Sequence, residues 1–179
     1  LAWLGDSYVE LMGVFDEQLA AASWWGRVAL EVSARGGGLM GVPLASDDVA
    51  ADVARLQGLG STLLEPVAGE RARPDGELVR WRIARLPEPL TGLGLMFLIE
   101  HDRDAAEWSA SERAARAAHV HPVGTPARLL RVEVALADVR GTTQRLLHGL
   151  GLQFRPSLAG RPVVVVANDA TVKGGTYYP

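Results

Sequence analysis

Two stretches of the chain carry the same order of apolar and polar positions. In the first, an apolar run at 39–45 stops at Ser46-Asp47-Asp48. Val49, Val53 and Leu56 then recur at helical spacing, so they share one helix face. Either Asp47 or Asp48 can accept the first free N–H groups of that helix, and Gly58 and Gly60 mark its end. A short strand is expected at 62–64, and Asp75-Gly76 is a hairpin turn signal. Residues 78–86 alternate, with Val79, Trp81 and Ile83 on one face and Leu78, Arg80 and Arg82 on the other. A loop rich in Gly and Pro leads to an apolar strand at 95–99. The predicted order is β-α-β-β-β.

The second stretch begins at Leu129. Leu130, Val132, Val134 and Leu136 share one strand face, and Arg131, Glu133 and Ala135 the other. Asp138 opens a helix with Val139, Leu146, Leu147 and Leu150 apolar, and Gly149 and Gly151 are expected to end it. Phe154 and residues 163–166 and 176–178 supply further strands. Strand, Asp, helix and Gly-Leu-Gly thus occur twice, which is an internal repeat. Upstream, Gly5-Asp6 reads as a turn between two strands. Tyr8, Glu10 and Met12 share a face of the second strand, which is either a cavity wall or an edge strand with a solvated Glu. Residues 16–22 suit a short helix anchored by Trp24-Trp25. Residues 102–118 suit a surface helix or loop with Trp108 as its anchor. Three units follow: 1–36, the end of a first unit plus a linker; 37–128, central; and 129–179, a partial third.

This order, with an Asp-Asp turn opening the helix, resembles one module of the vicinal oxygen chelate superfamily, and more closely the glyoxalase-like domain proteins. The residues that carry the resemblance are Tyr8-Val9-Glu10-Leu11, Arg71-Ala72-Arg73-Pro74-Asp75-Gly76, Arg80-Trp81-Arg82 and Phe97-Leu98-Ile99-Glu100-His101. The fold it implies is α/β (α+β): repeated βαβββ modules forming a curved mixed sheet, helices outside and a concave face within. In metal-dependent relatives a Glu on the last strand of a module is a metal ligand, and Glu10 matches that position. The strand and helix that would carry its partner His are expected upstream of Leu1. The second ligand His would lie seven residues before the helix-opening Asp. Gly41 stands there in the central module and Arg131 in the third. Glu100 and His101 remain as metal candidates at the end of the last strand, although neighbours in a strand point to opposite faces. Glyoxalase-like proteins also often show a His-Pro pair like His121-Pro122, which favours His121 over His119 as a ligand-binding residue.

Two readings of function follow from the resemblance. One is an enzyme, a lyase, isomerase or dioxygenase, using a divalent ion (Mg, Mn, Fe or Zn) as Lewis acid with Glu10 as ligand or base. The other is a metal-free protein that binds or sequesters a small molecule, with Tyr8, Arg80, Arg82 and His121 in contact with it. A non-catalytic interaction domain is a third. Arg80 or Arg82 could hold a carboxylate or phosphate by a two-pronged contact, or could be neutralised by Glu70, Asp75 and Glu77.

Composition narrows the partners. With 18 basic and 21 acidic residues the formal net charge is −3, so a generally basic nucleic-acid surface is not expected. The absence of Cys excludes disulfides, thiolate nucleophiles and thiolate metal sites. The four His, at 101, 119, 121 and 148, lack zinc-finger spacing, so no structural zinc is expected. No apolar run approaches the roughly 20 residues that span a bilayer. A cytoplasmic location is the expectation, and the exposed sheet edges of the resembled fold are compatible with a homodimer. The glycines at 36–38 link two units and are no phosphate loop, because no Lys-Ser/Thr follows.

Overall fold

The computed structural model describes residues 2–5, 7–73, 76–90, 94–103, 108–119, 124–130, 132, 134 and 136–152, with the backbone of 155–156 and 162–163. At its centre is a four-stranded mixed sheet made of β3 (Gly41–Ala45), β4 (Val67–Ala72), β5 (Leu78–Arg85) and β6 (Leu95–His101), in the order β3-β6-β5-β4. β3 runs parallel to β6, and the β4–β5 and β5–β6 pairs are antiparallel. Between β3 and β4 lies α3 (Val49–Gly58), which completes a βαβββ unit. Asp48, rather than Asp47, caps α3, accepting from Ala51 N at 3.0 Å, while Asp47 pairs with Arg103. Val49, Val53 and Leu56 are all buried, as their spacing requires. Leu59 follows the helix and Gly60 turns the chain at φ 91°.

Several expectations fail locally. Residues 62–64 form no strand, and β4 begins at Val67 instead. Their apolar character has another cause. Leu63 is buried against α3 and its carbonyl accepts from Gln57 Nε2 at 2.9 Å, so it closes the core under the helix. Gly149 does not end the last helix. That helix, α5 (Val139–Leu150), runs through it and stops at Gly151, whose φ is 67°. A Cβ on Gly149 would lie 2.7 Å from Leu86 Cδ2, so the glycine lets α5 approach the sheet. Asp138 caps α5 as expected, accepting from Gly141 N at 2.9 Å.

One core cluster joins the outer face of the sheet (Leu44, Ala84, Leu86, Met96, Leu98) to α3 and to Leu146, Leu150 and Leu152 of the last helix and its exit. Val134 and Leu136 pack against it, but the described residues of 129–136 are not in a strand. Arg131, Glu133, His121 and residues 164–179 lie outside the described residues. At the N-terminus β1 (Ala2–Leu4) pairs antiparallel with β2 (Ser7–Val9). Next come α1 (Glu17–Ala22), capped by Asp16, and α2 (Trp24–Ala34), capped by Ser23. α4 (Ala110–Ala118), capped by Ser109, follows β6. The two-residue strands β7 (Arg155–Pro156) and β8 (Pro162–Val163) pair with each other. Among the described residues no helix is long and apolar enough to cross a membrane.

Candidate functional site

Strand registers sort the candidate residues onto two faces of the sheet. Arg82 pairs with Glu100, and Glu70 with Arg80, on the face that also carries Ala84 and Leu98 and packs against α3. Trp81 pairs with His101 and with Gly69 on the opposite, inner face. Glu100 and His101, adjacent in β6, therefore look away from each other.

On the α3 face the charged groups are engaged with one another. Glu100 Oε2 accepts from Val49 N at 2.8 Å, adding a carboxylate to the positive end of α3 beside the Asp48 cap. It lies 4.0 Å from Arg82 Nη1, and Arg80 Nε is 3.3 Å from Glu70 Oε2. These side chains, with Ala68, Gly69, Trp81 and Asp102, border an open cleft of about 560 Å³.

The inner face is aromatic. Its two ends are covered by different elements. At one end Trp25 of α2 meets Phe97 edge-on at 5.6 Å, and the Arg85 guanidinium lies 4.5 Å from the centre of the Trp24 ring. At the other end Trp3 of β1 and Tyr8 of β2, paired in register, bring their rings within 5.1 Å of each other. Tyr8 lies 6.3 Å from His101, and Trp108 is 4.7 Å from His101 and 5.6 Å from Trp3. The Arg116 guanidinium of α4 lies beside both indoles, its carbon 4.1 Å from the centre of Trp3 and 5.1 Å from that of Trp108. It is only 9% exposed and is the one buried side chain of its helix. Trp3, Tyr8, His101 and Trp108 are each half-buried, so the cluster still reaches solvent.

Two buried polar atoms in this cluster, His101 Nδ1 and Trp108 Nε1, have no hydrogen-bond partner among the described residues. Burial, with the nearby positive charges of Arg103 and Arg71, lowers the His101 pKa from 6.5 to about 4. The imidazole is therefore neutral at pH 7 and can accept as well as donate a proton.

Of the residues singled out from sequence, Tyr8, expected to bind a ligand, and His101, expected as a metal candidate, come together here. Arg80, Arg82 and Glu100 gather on the other side of the sheet. Glu10 follows the last residue of β2 and is exposed, where a position against the cavity face was expected. Because β2 ends at Val9, strand alternation no longer fixes the direction of Glu10 relative to Tyr8. Glu10, Glu100 and His101 thus do not converge, and among the described residues no three His, Asp or Glu side chains make a set that could hold a metal ion. Sequence reasoning missed Trp3, Trp108 and Arg116 as members of the site. Trp108 showed as an anchor, but Arg116 lies in an Ala-rich polar helix and looks like any surface arginine.

A strand–helix–three-strand unit, its first and last strands paired in parallel at one edge of the sheet, places this protein in the vicinal oxygen chelate class of folds. Residues 1–150 match the family of the glyoxalase-like domain, and the chain belongs to that family. No curated protein and no solved structure matches it.

Proposed function

We propose that this protein binds a small organic molecule on the inner face of its sheet, with His101 as the polar group that meets it. The observation that supports this reading best is the pair of buried, unpartnered ring nitrogens on His101 and Trp108, set in an otherwise aromatic cluster. A buried polar atom without a partner costs about 1–3 kcal/mol, and a ligand that supplies the partner recovers that energy. Aromatic walls with a few placed polar groups are the usual chemistry of small-molecule sites. With its pKa lowered to about 4, His101 is a weak base near pH 7 and serves as a neutral hydrogen-bonding group.

Metal-free binding accounts for the arrangement better than a metal-dependent lyase, isomerase or dioxygenase. Glu100 serves the N-terminus of α3, Glu10 is exposed, and among the described residues no three His, Asp or Glu side chains gather around His101.

A thermal-shift screen of small organic compounds, run with and without a chelator, tests the reading. Compounds that bind should raise the melting temperature of the wild type in a concentration-dependent way, chelator or not. Their affinity should fall about tenfold or more in His101→Gln. Hits whose affinity is unchanged in that variant would place the ligand elsewhere.

A further inference from the structure

We infer that the outer edge of β4 is an interaction surface and that its occupant is a second copy of this chain. The two β4 strands pair antiparallel, with the two-fold axis at Gly69.

The sequence treats the two edges of the central sheet differently. Met40 O accepts from Leu95 N, and Ser46 N donates to Ile99 O. The even residues of β3 therefore bond to β6, and the odd ones face away from it. Pro43 thus sets its missing N–H on the outward side, where a proline blunts an edge against further pairing. β4 has no such guard. Arg73 N donates to Glu77 O, so the odd residues of β4 bond to β5. Ala68, Glu70 and Ala72 turn their backbone groups outward, where these have no partner among the described residues. The strand holds no proline, and all of it but Gly69 is exposed, Val67 at 62%. An edge open in this way is a template for another strand.

Charge selects the occupant and the register. When a strand pairs with its own copy, residues of one face stand opposite each other, so the axis passes through a residue. An axis at Gly69 pairs 67–71, one at Glu70 pairs 68–72, and any other pairs fewer residues of β4. The axis at Glu70 sets two glutamates side by side. The axis at Gly69 sets Ala68 opposite the partner's Glu70. The row on the α3 face then runs Glu100, Arg82, Ala68, the partner's Glu70, the partner's Arg80. Its signs alternate across the short Ala68. Arg82 is 47% exposed and lies 4.0 Å from Glu100, so its long side chain has reach to spare for the partner's Glu70. The open cleft lined by Ala68, Glu70, Arg80 and Arg82 leaves room for that contact. A row that complements itself in this way fits an isologous pair.

The inner face agrees. Trp81 is half-buried, and its ring rests on Gly69, where a Cβ would meet Cε2 at 2.6 Å. In the same register the row runs His101, Trp81, Gly69, the partner's Gly69, the partner's Trp81. Two indoles then cover a bare glycine pair, an arrangement that stabilises strand pairing at glycines. Strands this short bury no more than roughly 800 Å² per partner, so the dimer is weak, in the micromolar range.

Sedimentation of the whole chain from about 1 μM to about 1 mM is the first test, and the apparent mass should rise about twofold. Amide exchange by NMR locates the contact. The amides of Ala68 and Glu70 should slow as concentration rises, while Gly41 and Ala45 on the β3 edge keep their rates. Ala68→Pro removes an N–H that the monomer does not use. It should weaken the dimer about tenfold or more and leave the melting temperature of dilute protein nearly unchanged. Glu70→Arg and Arg82→Glu each set like charges across the axis and should each weaken self-association several-fold. Mixed in equal amounts, the two variants regain opposite charges at both contacts and should associate better than either alone. Melting curves of dilute protein report whether each variant keeps its fold, and the mixing experiment carries the test if Ala68→Pro does not. A monomer at every concentration would overturn the proposal, and an added peptide strand that then protected Ala68 and Glu70 would take the place of the second copy. A dimer of full strength in Ala68→Pro and in both charge variants, or one that leaves the Ala68 and Glu70 amides unprotected, would place the contact elsewhere and overturn it as well.

Discussion

At the scale of single residues, His101 departs furthest from its ordinary chemistry. With a folded-state pKa of about 4 against 6.5 in the unfolded chain, it is neutral in the native protein where the unfolded chain begins to charge it. Between pH 6.5 and 4 the unfolded state therefore binds more protons, and stability falls as pH is lowered through that window. Above pH 6.5 His101 contributes no slope. A half-buried ring tempers the effect, which should amount to about 1–2 kcal/mol across the window. Urea melts at pH 7 and pH 4.5, compared between wild type and His101→Gln, measure it. The variant should lose less stability on acidification, and an NMR titration should place the imidazole pKa well below 6. Gly69 is a second residue-scale constraint. A Cβ there would meet Trp81 Cε2 at 2.6 Å, so Gly69→Ala should destabilise by about 1–3 kcal/mol and shift the tryptophan emission. Exposed Glu10, by contrast, should tolerate Glu10→Gln within about 0.5 kcal/mol by the same melts.

Elements explain why Glu100 is better placed to hold a helix than a ligand. Its carboxylate reaches 51 positions back along the chain to the first N–H of α3, which Asp48 leaves for it by capping Ala51. Glu100→Ala should cost about 1–2 kcal/mol, and Glu100→Gln, which keeps an acceptor, less. Chemical denaturation would show the difference, and ligand affinity at the His101 face should be unchanged in Glu100→Gln. α3 was itself legible from sequence, because three apolar residues at helical spacing and an Asp cap are local signals. So were the turn between β4 and β5 and the alternation within β5. Glu100 was not legible in this role, since nothing near it in sequence says that its partner is an N–H on α3. Nor was Arg116, whose burial depends on Trp3 and Trp108, two residues far from each other in the chain. The apolar run at 62–64 misled for a related reason. Burial under a helix and pairing in a sheet ask for the same side chains.

Over the whole molecule, the sequence repeat around Asp48 and Asp138 turns into shared packing. α3 and α5 do not close separate cores. Leu56, Leu63, Leu86 and Leu98 form one cluster with Leu146, Leu150 and Leu152, and Ser61 Oγ donates to Gly149 O at 2.5 Å across the junction. Leu146 is 1% exposed within it. Leu146→Ala should therefore cost about 2–5 kcal/mol, the sum of lost transfer energy and an unfilled cavity. The cost should reach the sheet as well as α5. The five tryptophans, at 3, 24, 25, 81 and 108, all lie before α5, so their fluorescence reports the sheet and its inner face, whereas far-UV circular dichroism reports every helix. If the cluster binds both parts into one cooperative unit, urea melts by the two probes coincide in the wild type and shift together in Leu146→Ala. A fluorescence midpoint that stayed in place while part of the helical signal melted early would show that α5 undocks by itself, and that the site-bearing sheet does not depend on it.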